Sequence, residues 1–221
     1  MKLLFKTLIK FLMGIVMVGA LLFIPAGTFK FFNAWLFMAL LFIPIFSLGV
    51  ILFIKSPLLL SKRIDAKENE KTQKGVVLAS AILFVAGFIV AGLDFRFSWS
   101  RMPKIVVIIA SAVLLISYLL YAEVMRENTY LSRTISVQEN QKVIDTGMYK
   151  IVRHPMYAVT VWLFLSIPFV LGSFWSFLCF LPYVFLITVR IVNEEKVLEN
   201  GLDGYKEYKK RVKYRLIPFI W

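Results

Sequence analysis

The sequence predicts an all-α polytopic membrane protein with five to six transmembrane helices. Three observations carry this: 60% of the 221 residues are hydrophobic, the mean hydropathy is +0.78, and apolar runs recur with short polar stretches between them. A soluble domain of this length cannot hide so much apolar surface in one core, so lipid must serve as its solvent. Each helix crossing the hydrocarbon layer takes about 20 residues. The chain therefore has room for one membrane domain with modest loops and none for a separate soluble domain.

The apolar runs extend from about Phe11 to Pro25, Phe31 to Ile54, Val76 to Leu93, Ile105 to Tyr121, Tyr157 to Leu171 and Phe174 to Val189, which counts six helices. The last two are only about 15 or 16 residues each and are joined by Gly172-Ser173, which predicts a tight helical hairpin that need not cross fully. Lys2, Lys6 and Lys10 precede the first run with no small-x-small cleavage site after it, so an uncleaved anchor is expected there. Lys55, Lys62, Arg63, Lys67, Lys71 and Lys74 lie between runs two and three, against Lys30 alone between runs one and two. The positive-inside rule places the larger loop in the cytoplasm. With six crossings, both termini and the polar connection from Glu123 to Arg153 fall on that same side; Arg96, Arg101 and Lys104 run against this bias.

The formal charge of +13 does not point to nucleic acid, because the basic residues flank apolar runs and form no independent basic domain. Cys179 is the only cysteine, which excludes an intrachain disulfide and a multi-cysteine metal site; its apolar neighbours mark it as a small buried hydrophobe. No metal site is expected. Residues 1–121 supply membrane helices and almost no chemistry, Asp94 and Arg96 reading as ordinary interfacial charges. Residues 122–221 hold most of the chemically able side chains and form the expected catalytic region.

Rossmann, P-loop, nucleophile-elbow and zincin signatures are all absent. The sole histidine, His154, lies between Arg153 and Pro155 just ahead of the hairpin. Pro155 suits the first turn of a helix, so Arg153 and His154 sit at a helix entrance whose free N–H groups favour a carboxylate. The plainer reading is an interfacial anchor of arginine, histidine and tyrosines. After the hairpin, Arg190 and Glu194 are four apart and share a helix face. As a surface pair they contribute only about 0.3–0.5 kcal/mol. A short hairpin, however, returns them to the side of Arg153 and His154. A methyl donor bearing a sulfonium, an amino group and a carboxylate calls for an acid, for cationic or N–H partners, and for aromatic faces. Glu194 or Glu195, Arg153 with His154, and Tyr149 with Tyr157 are of those types.

The motifs Gly147-x-Tyr149-x-x-x-Arg153-His154-Pro155-x-Tyr157, an apolar hairpin, Arg190-x-x-x-Glu194-Glu195-x-x-Leu198, Tyr205-x-x-Tyr208-Lys209-Lys210-Arg211-Val212 and Pro218-Phe219-Ile220 follow in that order. Together they resemble the isoprenylcysteine carboxyl methyltransferase family over about Gln138 to Ile220. The resemblance implies an S-adenosylmethionine site at the cytosolic face, lined by Gln138, Val143, Ile144, Tyr149, Arg153, His154, Pro155, Met156, Tyr157 and Glu194, and Glu195 is expected to bind the cofactor as well. It implies that Arg190 meets a carboxylate of a prenylcysteine-like acceptor arriving from the bilayer, with Glu194 and His154 completing the catalytic set. Gln141 departs from the pattern, standing where a histidine is expected before the apolar pair Val143-Ile144.

A carboxylate acceptor is ionised at neutral pH and needs no base, whereas an amine must first lose a proton, a task for His154 or a glutamate. Phospholipid headgroup amines therefore stay open as acceptors. Two other classes also remain: an NADPH-dependent sterol-type reductase, which shares a late Arg-His-Pro-x-Tyr element, and a non-enzymatic membrane scaffold. The run from Tyr205 to Arg211 is expected to form an amphipathic cytosolic helix that either attracts anionic lipid or closes the cofactor pocket.

Overall fold

The computed structural model describes residues 2–65, 71–131 and 137–221, so Lys67 of the basic loop and part of the Glu123–Arg153 connection lie outside the described residues. The described residues are helical without strands: α1 Lys2–Ala26, α2 Phe32–Lys55, α3 Pro57–Asp65, α4 Lys71–Phe97, α5 Lys104–Glu127, α6 Pro155–Leu171, α7 Phe174–Phe180, α8 Tyr183–Gly201 and α9 Tyr205–Arg211. A 3-10 turn over Gly147–Lys150 precedes α6.

Five stretches are long and apolar enough to cross a membrane: α1, α2, most of α4, α5, and the run Phe174–Gly201 that joins α7 to α8. The count of six becomes five plus α6, which has 17 residues. At 1.5 Å per residue it spans about 26 Å, less than the roughly 30 Å of a hydrocarbon layer. It is the innermost helix, packing on α2, α4, α5, α7 and α8. Leu163, Ile167, Val170 and Leu171 of α6 join Leu22, Phe37, Leu114 and Phe180 in the main core.

Several helices outrun their apolar segments. α1 begins at Lys2 rather than near Phe11, since Lys6 and Lys10, four apart, share one face and leave the other apolar. α5 continues to Glu127, its exposed end carrying a bidentate pair from Arg126 to Glu123 at 2.6 and 2.8 Å.

The hairpin turn is made by Gly172 at φ 78°, where a Cβ would sit 2.6 Å from Asn33 Nδ2. Ser173 then caps α7 by accepting from the Ser176 amide at 3.0 Å. Asp94, expected as an interfacial charge, is instead 1% exposed. Its carboxylate accepts from the Ser100 amide at 2.7 Å and from the hydroxyls of Ser100 and Ser173, fastening the end of α4 to the hairpin turn. Burial was not legible from sequence because both serines come from outside the apolar run that Asp94 ends.

Replacing Asp94 with alanine strands these donors and should cost roughly 2–3 kcal/mol. In thermal unfolding of the detergent-solubilised protein, a midpoint within about 1 °C of wild type would contradict it, since each kcal/mol moves a chain of this size by about 2–4 °C.

Candidate functional site

The site is assembled where α5, the start of α6, the end of α8 and α9 meet. As α5 ends, the Glu127 carboxylate accepts from the Met148 amide at 3.2 Å. Gly147 allows this approach: its φ is 46°, and a Cβ there would lie 1.5 Å from Glu127 Oε1. The 3-10 turn that follows holds Tyr149 inward. The Tyr149 hydroxyl accepts from Asn128 Nδ2 at 2.9 Å, and its carbonyl accepts from the Tyr208 hydroxyl at 2.7 Å. Burial pushes both tyrosine hydroxyls above their usual range, so they stay neutral.

Pro155 opens α6 with His154 as the residue before it. The Arg153 and His154 amides donate to the Tyr214 and Arg215 carbonyls, each at 2.9 Å, which draws the tail against the helix start. Arg153 Nη1 donates to the carbonyls of Val212 and Lys213 at 2.7 and 2.8 Å, and Nε to Glu195 Oε1 at 2.7 Å. His154 Nε2 lies 3.3 Å from the same oxygen. Arg215 Nε donates to Glu195 Oε2 at 2.9 Å, with Lys209 Nζ at 3.7 Å. The Arg153 and Glu195 side chains are 4% and 3% exposed, so this is a buried ionic cluster with its hydrogen bonds made.

One turn along, Arg190 Nε donates to the Tyr157 hydroxyl at 2.9 Å, and that hydroxyl donates to Glu194 Oε2. The Arg190 guanidinium also lies 5.9 Å from the Tyr157 ring centre. Tyr157 and Met156 form a wall between two hollows. On one side is a cleft lined by Val143, Ile144, Tyr149, Arg153, His154, Glu194 and the tyrosines of α9, with about 90 Å³ of free space. On the other is a cavity of about 350 Å³ between α4, α6 and α8, lined by Val77, Phe84, Phe164 and Ile187 together with the polar Ser80, Thr160 and Arg190.

The structure thus brings Val143, Ile144, Tyr149, Arg153, His154, Met156, Tyr157 and Glu194 to one cleft and puts Arg190 across the wall from it. Three residues of the expected set do not line the cleft. Glu195 is buried in the ionic cluster, Pro155 is buried as the helix start, and Gln138 braces the rim, its side chain donating to the Tyr130 carbonyl and its amide to Gln141 Oε1 at 2.8 Å. Sequence reasoning missed Asn128, Tyr130, Leu198 and Leu202 as lining residues, and it raised closure of the pocket by the Tyr205–Arg211 helix without singling out Tyr205 and Tyr208, which line the cleft. The i, i+3 spacing of Tyr205 and Tyr208 could have marked one aromatic face on α9; nothing local distinguishes Asn128. Gln141 itself lines the cleft at the position where a histidine was expected.

Residues 102–203 match the phospholipid methyltransferase family model. The matched stretch covers α5, α6, α7 and α8 together with the turn that presents Tyr149, and stops short of α9. It supports a membrane methyltransferase and leaves open whether oxygen or nitrogen is methylated. It is a phospholipid methyltransferase match and not one to the isoprenylcysteine carboxyl group specifically. No curated protein matches the chain.

Removing Glu195 leaves Arg153 buried without its counter-charge, a change that costs about 3–5 kcal/mol. Glu195→Ala should therefore lower the thermal midpoint or abolish folded expression. Wild-type stability combined with a specific loss of ligand binding would show that Glu195 is a ligand contact and not a structural hub.

Proposed function

We propose that this protein moves a methyl group from S-adenosylmethionine to a lipophilic acceptor whose anionic group rests on Arg190. One observation carries the reading: the Tyr157 hydroxyl links Glu194, on a polar and aromatic cleft, to Arg190, at the head of an apolar cavity. Residues 122–221 then act as the catalytic part, opening to the cytoplasm, and the preceding helices act as its membrane frame.

The cleft residues fit the donor. Glu194 is an acid for its positive charge, Tyr149 and Tyr157 offer ring faces to the sulfonium, and Val143, Ile144, Leu198 and Leu202 give the adenine an apolar bed. The free space is well below the roughly 300–1,000 Å³ of ordinary small-molecule sites, so the flanking side chains must part to admit a nucleoside. The bound donor supplies an activated methyl carbon. What the chain contributes is alignment and exclusion of water, which supply about 7–11 kcal/mol when two reactants are held in line. Tyr157 is placed for this, since it touches the groups that position both partners.

Arg190 favours an acidic acceptor. A prenylcysteine-like carboxylate would bind it directly and react without a base. The family match favours a phospholipid amine at least as well. In that case Arg190 would hold the phosphate and Glu194 would face the amine, because His154 Nε2 is engaged with Glu195. The match also weighs against the reductase and scaffold readings.

Purified protein should transfer label from S-adenosylmethionine to a member of a panel of prenylcysteine analogues, fatty acids and aminophospholipids. A base-labile product identifies a methyl ester and a base-stable one an N-methyl group; no labelling and no S-adenosylhomocysteine binding would overturn the proposal. Glu194→Gln should weaken S-adenosylmethionine binding at least about tenfold, about 1.4 kcal/mol, at unchanged thermal stability. Arg190→Ala should raise KM for the acceptor by a similar factor and leave cofactor binding alone.

A further inference from the structure

The four tyrosines of the cleft wall that carry buried rings differ in one respect. Tyr149, Tyr157 and Tyr208 each have their hydroxyl in a hydrogen bond. The Tyr205 hydroxyl, on a residue 4% exposed, has no partner among the described residues. Buried hydroxyls are rarely left so, and those that are need an explanation.

Packing does not supply one. The Tyr205 ring is held by Leu202, Tyr208 and Val212, with Val143 and Leu198 alongside, and its centre lies 5.8 Å from that of Tyr208. A phenylalanine would make all of these contacts. The ring belongs to the cleft lining, on α9, beyond the stretch that the family match covers. Burial, then the carboxylates of Glu195 and Glu194, push its hydroxyl well above the usual range, so it stays protonated and can donate. The same two carboxylates disfavour an anionic partner and leave a neutral oxygen or nitrogen as the natural acceptor.

We infer that Tyr205 is a cofactor-binding residue whose hydroxyl donates a hydrogen bond to a neutral acceptor atom of the methyl donor's nucleoside. This rests on the methyltransferase reading of the cleft. It makes α9 part of the donor site and explains why a hydroxyl is tolerated in an otherwise apolar packing layer: the bond is completed only when the cleft is filled.

The test is Tyr205→Phe in the full-length, detergent-solubilised protein, with binding of S-adenosylhomocysteine and of 5′-methylthioadenosine measured by calorimetry. The variant should keep or slightly raise the thermal midpoint of the ligand-free protein, because it removes an unpaired buried hydroxyl. It should weaken both ligands about tenfold, raise KM for S-adenosylmethionine, and leave KM for the acceptor unchanged. Unchanged S-adenosylhomocysteine affinity overturns the inference, as does a variant that fails to fold, since the retained ring would then show that the hydroxyl had a structural partner. Loss confined to S-adenosylhomocysteine, or a wild-type protein indifferent to methylthioadenosine, overturns the assignment to the nucleoside. A wild-type protein that binds neither ligand brings down the methyltransferase reading itself, which is a different result from a wild type that binds and a variant that binds equally well.

Discussion

Buried Glu195 accepts from Arg153, Arg215 and His154, and the arrangement of the whole site follows from that cluster. A buried carboxylate is tolerated only when opposite charges and hydrogen bonds surround it. Here Glu195 belongs to α8 and its partners come from the residues leading into α6 and from the tail, so satisfying one charge fixes three segments relative to one another. The Val212, Lys213, Tyr214 and Arg215 backbone completes the frame by pairing with Arg153 and His154. Neighbouring positions on α8 then divide the work. Glu195 points into the cluster, and Glu194 is left on the cleft.

With the frame set, Tyr157 and Met156 stand between two hollows of different character. The cleft is polar and aromatic, the cavity beyond it is mostly apolar with Ser80, Thr160, Tyr183 and Arg190 among its lining, and Met156 and Tyr157 border both. A reaction between a charged, water-soluble molecule and a hydrocarbon-bearing one needs such a boundary. Neither partner then has to leave the medium that stabilises it until the reacting atoms meet.

Much of this was legible in the chain. The helical fold, the hairpin at Gly172-Ser173 and the return of Arg190 and Glu194 toward Arg153 and His154 follow from apolar run lengths, a glycine and a four-residue spacing, which are local signals. Glu195 was harder to place, because two adjacent glutamates look alike until the tail that surrounds one of them is positioned. Asp94 looked like a membrane-surface charge for the same reason, since its partners Ser100 and Ser173 are not on its own helix. Asn128 reaches the cleft through tertiary packing alone, and the spacing of Tyr205 and Tyr208 marks an aromatic face on α9 without saying what it covers. The helix count shifted because hydropathy reports how apolar α6 is and not that neighbouring helices surround it.

The helix α6 is tethered at both extremities, at one by the backbone pairing of Arg153 and His154 with the tail, at the other by Gly172 and the Ser173–Asp94 bond. It therefore works as a ruler of fixed length. Each residue added or removed between its tethers would swing the remainder by about 100° and shift it by about 1.5 Å, carrying either Tyr157 or the hairpin turn out of register. Length variation among natural versions of this architecture should then accumulate in the connections before Gly147 and around α3, while the span from Arg153 to Ser173 keeps a constant number of residues.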